Sequence, residues 1–168
     1  MINVFCSLKL SKLLSIDKKV KCEVNVITDW SAHQFSIAGR KWVIFVHKQT
    51  LFSFVAVDVL KKDLNNISLL FTDLLIKQLA KENILTSDYE NYLREFDQIA
   101  NFCSTDNDRK TMGSVNDLIY HIKASYDDDK SVEKAKNYVS RYLNDMPSKV
   151  LKFNKPRETM REYVKNYG

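Results

Sequence analysis

An imidazole beside a carboxylate can move protons in acid–base catalysis, and the chain has three histidines, His33, His47 and His121. Asp29 and His33 lie just before a hairpin signal; Asp117 and His121 lie on a helical stretch further on. A hydrolase-like site needs Asp29, His33, Asp117 and His121 to meet in one cleft, within the roughly 4–6 Å over which charges strongly shift a pKa. The Gly-x-Ser-x-Gly context of a nucleophile elbow is absent. Two of the histidines must therefore converge with a carboxylate through the fold alone, and a histidine that does not converge is structural.

The longest polar stretch between elements is residues 104–114. Asp106-Asn107-Asp108 offers oxygen ligands to a hard cation, without the Gly and Glu spacing of an EF-hand. Gly113-Ser114 ahead of a helix would suit an anion at the helix N-terminus, but Gly-x-x-x-x-Gly-Lys-Ser/Thr is missing. A solvated loop with a capped helix explains the stretch equally. Cys6, Cys22 and Cys103 form no Cys-x-x-Cys pair and no Cys/His cluster, which predicts three reduced thiols and no metal site. No cofactor signature is present. Trp30, Phe35, Trp42, Phe52 and Phe54 alternate with Arg40, Lys41 and Lys48. Aromatics beside basic residues on a sheet can stack bases; packing in a core accounts for most of these.

Those residues are positioned by a β-rich first third. Trp42 to Val46 is a continuous apolar run, and 51–60 is another, broken only by Ser53 and Asp58. Gly39, which takes positive φ without steric cost, falls between them and Phe35-Ser36-Ile37. The pattern predicts an antiparallel meander over 34–38, 41–47 and 51–59. Val43 and Phe45 point to one face of the middle strand, and Trp42, Ile44 and Val46 to the other. Such a strand must be covered on both sides. Alternation over 2–8 predicts a first strand, and a weaker alternation over 21–27 another. Ser11 is a cap candidate for a short helical turn over 11–16.

After Lys62 the period becomes helical. Asp63 precedes a stripe through Ile67, Phe71, Leu75 and Leu79. Ser87 and Glu90 form a capping box ahead of Tyr89, Leu93, Phe96 and Ala100. Ser114 opens a third helix, Ser131 a fourth that ends at Pro147, and Pro156 suits the first turn of a basic one. The fold class is α+β, with an N-terminal antiparallel sheet of four or five strands packed against four or five C-terminal helices. One domain over 1–147 and a basic tail over 148–168, a short helix, complete the organisation.

Charge is segregated. Residues 1–62 hold 10 Lys/Arg against 4 Asp/Glu, 63–130 hold 7 against 13, and 131–168 hold 9 against 4. The parts either neutralise one another across the fold or leave basic surface for nucleic acid. No apolar run approaches the roughly 20 residues of a membrane span. Lys9 and Lys12 interrupt the apolar start, which excludes a signal-peptide core and makes a cytoplasmic protein the expectation.

Asp29-Trp30, Phe35, Gly39-Arg40-Lys41, Ile44-Phe45-Val46, Thr50-Leu51 and Gly113-Ser114-Val115-Asn116-Asp117 together read DW-x-A-x-x-F, a basic hairpin, FV-x-x-x-TL and GS-x-ND. That pattern resembles a family of small uncharacterised bacterial proteins over about residues 1–125. The resemblance implies a bacterial, cytoplasmic protein with no established activity. It directs attention to Asp29, Trp30, Arg40, Asn116 and Asp117, without a catalytic role. Three functional readings follow. The first is a non-catalytic module that binds a protein or nucleic-acid partner through the hairpin turn, with Arg40 and Lys41, and the basic tail. The second is the hydrolase-like set above, and the third a homo-oligomer, an obligate dimer whose interface uses an exposed apolar sheet face.

Overall fold

The computed structural model describes residues 1–95 and 99–167. Its strands are β1 (Ile2–Cys6), β2 (Trp30–Ile37), β3 (Arg40–His47), β4 (Ser53–Ala56) and β5 (Ala100–Cys103). They form one sheet in the order β4-β3-β2-β1-β5. The meander β2-β3-β4 is antiparallel as expected. At its tip Ala38 and Gly39 both have positive φ, +50° and +74°, the pair of left-handed residues a two-residue hairpin needs to match the sheet's twist.

The sheet as a whole is mixed rather than antiparallel throughout, because β1 runs parallel to both β2 and β5. Parallel pairing requires a long crossover. Residues 7–29 supply one, and the helices between β4 and β5 supply the other. Those two partners occupy both edges of β1, and the alternating stretch 21–27 joins no strand of the sheet and is irregular. It crosses the sheet face instead, where the Asn3 amide donates to the Glu23 carbonyl at 2.8 Å. A Cys22–Cys103 disulfide pins it to β5. The expectation of three reduced thiols is corrected: Cys6 alone is free, and it is buried.

The helices are α1 (Leu8–Leu13), α2 (Lys61–Asn65), α3 (Ile67–Lys81), α4 (Ser87–Arg94), α5 (Arg109–Asp127), α6 (Val132–Arg141) and α7 (Pro156–Lys165). Several caps differ from the expected ones. Ser7 caps α1, and Ser11 is buried inside it. Thr86 caps α4 in place of Ser87. Ala100 belongs to β5, not to a helical face, and Phe96 lies outside the described residues. Asp108 caps α5, its carboxylate accepting from the Thr111 N–H at 3.2 Å. Gly113 and Ser114 are therefore helix interior, and their backbone N–H groups are not available to an anion. Ser131 caps α6 as expected, but α6 ends at Arg141, well before Pro147. Pro156 starts α7.

Two apolar layers sandwich the sheet. On one face Trp30, Val43, Phe45 and Phe54 meet α3, α4 and α7, through Phe71, Leu75, Leu79, Leu93, Met160 and Val164. The Phe71 ring lies 5.4, 5.3 and 5.5 Å from those of Trp30, Phe45 and Phe54. On the other face Phe35, Trp42, Ile44 and Val46 meet α5 and α6, through Val115, Ile122, Ala135 and Val139. Both faces of β3 are thus closed by the chain's own helices.

The disulfide joins positions 81 residues apart, so breaking it restores much conformational freedom to the unfolded chain. Cys103→Ser should lower stability by about 2–4 kcal/mol, read as a fall in the denaturant midpoint. Wild-type protein under a dithiol reductant should show the same fall.

Candidate functional site

Lys48 is the first anomaly in the packed interior. Period two along β3 puts it on the face of Trp42, Ile44 and Val46, and its side chain is 1 % exposed. A buried ammonium requires carboxylates. Lys48 Nζ pairs with Asp106 and, at 3.1 Å, with Asp108, and sits 4.8 Å above the Phe5 ring. The Asp106–Asp108 stretch, read as a possible cation loop, is engaged by this lysine. Among the described residues no group of three His, Cys, Asp or Glu side chains is placed to hold a metal.

Asp29 completes the cluster. It is buried, accepts the Asn25 N–H at 2.5 Å, and leaves Oδ1 without a partner. Burial raises its carboxyl above the ordinary range, against the Asn25 N–H and the Lys48 charge. Asp108 goes the other way. Burial would push it up, but the Thr111 hydroxyl and N–H and the Lys48 ammonium outweigh that and hold it below the usual carboxylate range.

The remaining sequence candidates are dispersed. Trp30 is fully buried beside His47 and Phe54, a core residue rather than a stacking surface. Arg40 projects from the hairpin turn, 67 % exposed, with Asp58 4.0 Å away; Lys41 is exposed next to it. His33 is half-buried on β2, and burial lowers its pKa. Asn116 and Asp117 lie on the exposed side of α5. Asp117 and His121 form a pair at 3.8 Å. Among the described residues no hydrogen bond or ion pair links Asp29 or His33 to that pair. His47 is fully buried, accepts from the Thr50 N–H at Nδ1, and is lowered by burial to about 3, so its imidazole is neutral.

One groove does gather several of these residues. It encloses about 610 Å³ between α5 and residues 143–156. Lys110, Ser114, Asp117 and His121 line it from α5, and Lys149 from the opposite wall, over an apolar floor that includes Leu118 and Leu143. Among the described residues Lys110 and Lys149 make no ion pair with a carboxylate. Beside the groove, Ser148 and Asn154 bridge across a tight loop. Within it Lys152 and Phe153 take φ of +53° and +65°, a left-handed conformation that costs L-residues roughly 1–2 kcal/mol each. The loop turns the Phe153 ring outward, 71 % exposed.

Sequence reading placed Lys48 only among basic residues beside possible stacking aromatics, and passed over Lys110, Lys149 and Phe153. Only Lys48 carried a signal: it extends the even-numbered face of an all-apolar strand, and a lysine there predicts buried carboxylate partners. The positions of Lys110 and Lys149 in the groove depend on how α5 meets the 143–156 segment.

Among comparisons with known proteins, a family model described as a domain of unknown function (DUF6933) matches residues 3–159. The match runs through α5 and α6 into α7, well past the stretch of about 125 residues that carries the sequence resemblance. No curated protein matches the chain, and no solved structure does.

Removing Lys48 leaves two or three clustered carboxylates without a cation. Lys48→Met should cost about 3 kcal/mol at neutral pH. Asp108, depressed in the folded state, stabilises the fold above the ordinary carboxylate range, and this contribution disappears as pH falls through its folded pKa. Urea melts should therefore show the gap between wild type and Lys48→Met narrowing between pH 7 and pH 3.

Proposed function

The chain belongs to the family described as a domain of unknown function (DUF6933), and from that premise we propose that it is a non-catalytic interaction module for an anionic partner. The partner favoured is single-stranded nucleic acid. The observation that carries this reading is the association of two lysines, Lys110 and Lys149, unpaired among the described residues, in one groove with an exposed aromatic on a strained loop beside it. Lysines track a phosphate backbone, and an exposed ring stacks any base. A non-glycine pair held at positive φ on a surface loop is the kind of stored strain that accompanies function.

The internal pairing of charges supports it. Asp106 and Asp108 are engaged by Lys48, and Asp127 and Asp129, at and just past the far end of α5, by Lys130 and Lys134. These four carboxylates are thus engaged away from the groove, where among the described residues Lys110 and Lys149 have no carboxylate partner. The basic tail takes part through Lys149 and Lys152; the hairpin with Arg40 and Lys41 is a second basic projection. The hydrolase-like alternative retains only Asp117 and His121 as a coupled pair. Among the described residues no helix is long and apolar enough to cross a membrane. A bacterial cytoplasm remains the proposed location, with one tension: disulfides such as Cys22–Cys103 persist in oxidising compartments. Thiol alkylation and mass analysis of protein from its native cells decide that point.

Fluorescence polarisation with a labelled single-stranded oligonucleotide tests the module. Binding should fall with rising salt, and Lys110→Glu with Lys149→Glu should weaken it at every sequence. Phe153→Ala should cost roughly 1–3 kcal/mol. No polarisation change at low salt overturns the reading.

A further inference from the structure

A second cavity, of about 760 Å³, lies on the other side of the 148–154 loop, between α7 and the turns at residues 27–28 and 49–50. Its volume is in the range that encloses a small organic ligand or a peptide side chain. Its electrostatic character is the reverse of the α5 groove. No Lys or Arg lines it, although the chain carries a net charge of +5.

Helical spacing arranges the α7 wall in two rows. Glu158, Glu162 and Asn166 make one, at four-residue steps; Thr159, Tyr163 and Tyr167, just beyond the helix end, make the other. Thr159 is structural, since its hydroxyl lies within donating reach of the Thr50 and Pro156 carbonyls at 2.9 and 3.0 Å. The tyrosines are held by aromatic neighbours before any ligand arrives. Tyr163 lies 4.8 Å from the His47 ring, and Tyr167 4.5 Å from Tyr92 and 5.1 Å from Tyr89. Behind the wall, the buried and neutral His47 is tied to the lining residue Thr50, so this imidazole sets no positive charge against a cation. Among the described residues Glu158 and Glu162 have cationic partners only on their own helix, Arg161 at 2.6 Å and Lys165 at 3.7 Å. Exposed pairs of that kind are weak and exchangeable.

We propose that this cavity binds an organic ammonium group, with Glu158 and Glu162 supplying the countercharge and the rings of Tyr163 and Tyr167 an aromatic wall. Ring faces attract ammonium groups through their quadrupole, and two carboxylates in a partly enclosed cleft repel anionic ligands. The same group reaches the site either as a free alkyl diamine or as a lysine side chain of a peptide. This site stands independently of the nucleic-acid reading, because it shares no lining residue with the groove.

Calorimetric titration of the full chain with 1,4-diaminobutane, with an acetylated lysine-containing tetrapeptide and with succinate tests it. At least one amine should saturate with a dissociation constant at or below about 1 mM, and succinate should not bind. Saturation by the diamine alone assigns a small-molecule ligand; saturation by the peptide alone, or tighter binding of it, assigns a protein partner. Glu158→Gln combined with Glu162→Gln should weaken the amine about tenfold. In amide NMR spectra of the wild-type chain the same titration should move the signals of Tyr163 and Tyr167, which locates the site without any variant. Failure of both amines to saturate, or shifts confined to other parts of the chain, overturns the proposal.

Discussion

Trp42, Ile44 and Val46 face one side of β3, and Val43 and Phe45 the other. A strand apolar on both faces cannot rest against water on either side, so it needs two covering layers. That requirement sends α3, α4 and α7 to one side of the sheet and α5 and α6 to the other. Burying a large aromatic or branched side chain is worth about 1.5–3 kcal/mol, and β3 buries five in succession.

Where the core must meet polar backbone or charge, single side chains solve the problem locally. The edge strand β4 would present an unpaired ladder beside Ser53. The Asn144 side chain takes that place, accepting from the Ser53 N–H at 2.7 Å and donating to the Ser53 carbonyl at 2.8 Å. Lys48 continues the apolar face of β3 into a charge and draws the Asp106 and Asp108 carboxylates to it, which fixes the start of α5 over the sheet. On β1 and β5 the face opposite the apolar core carries Asn3 and Asn101 beside Phe5 and Cys103. It is covered by the irregular 17–28 segment and its disulfide rather than by a helix.

These local solutions shape the surface. With Asp106 and Asp108 held by Lys48, and Asp145 shared by Lys155 and Arg157, much of the chain's acidic charge is cancelled close to where it arises. What remains is distributed unevenly around residues 148–154. Lysines that have no carboxylate partner among the described residues face the α5 groove, and two glutamates among tyrosines face the cavity under α7. Two adjacent hollows of opposite charge, divided by one strained loop, suit two chemically different ligands.

Much of this was legible in local pattern. Period two along β1 and β3, an apolar stripe at helical spacing on α3, Ser131 at the head of α6, Pro156 at the head of α7 and Gly39 in its turn are consequences of near-neighbour sterics and solvation, and they establish an α+β chain with a doubly covered meander. Other features depend on partners distant in sequence. The stretch 21–27 alternates like a strand, yet both edges of β1 were already occupied by strands from elsewhere. Cys22 meets Cys103, and Lys48 meets Asp106 and Asp108, because β5 returns parallel to β1, which no spacing along the chain encodes. The groove lysines and the acidic cavity are surfaces between segments. Short-range periodicity records what a residue does to its own helix or strand, and only packing of the whole chain records which segments face one another.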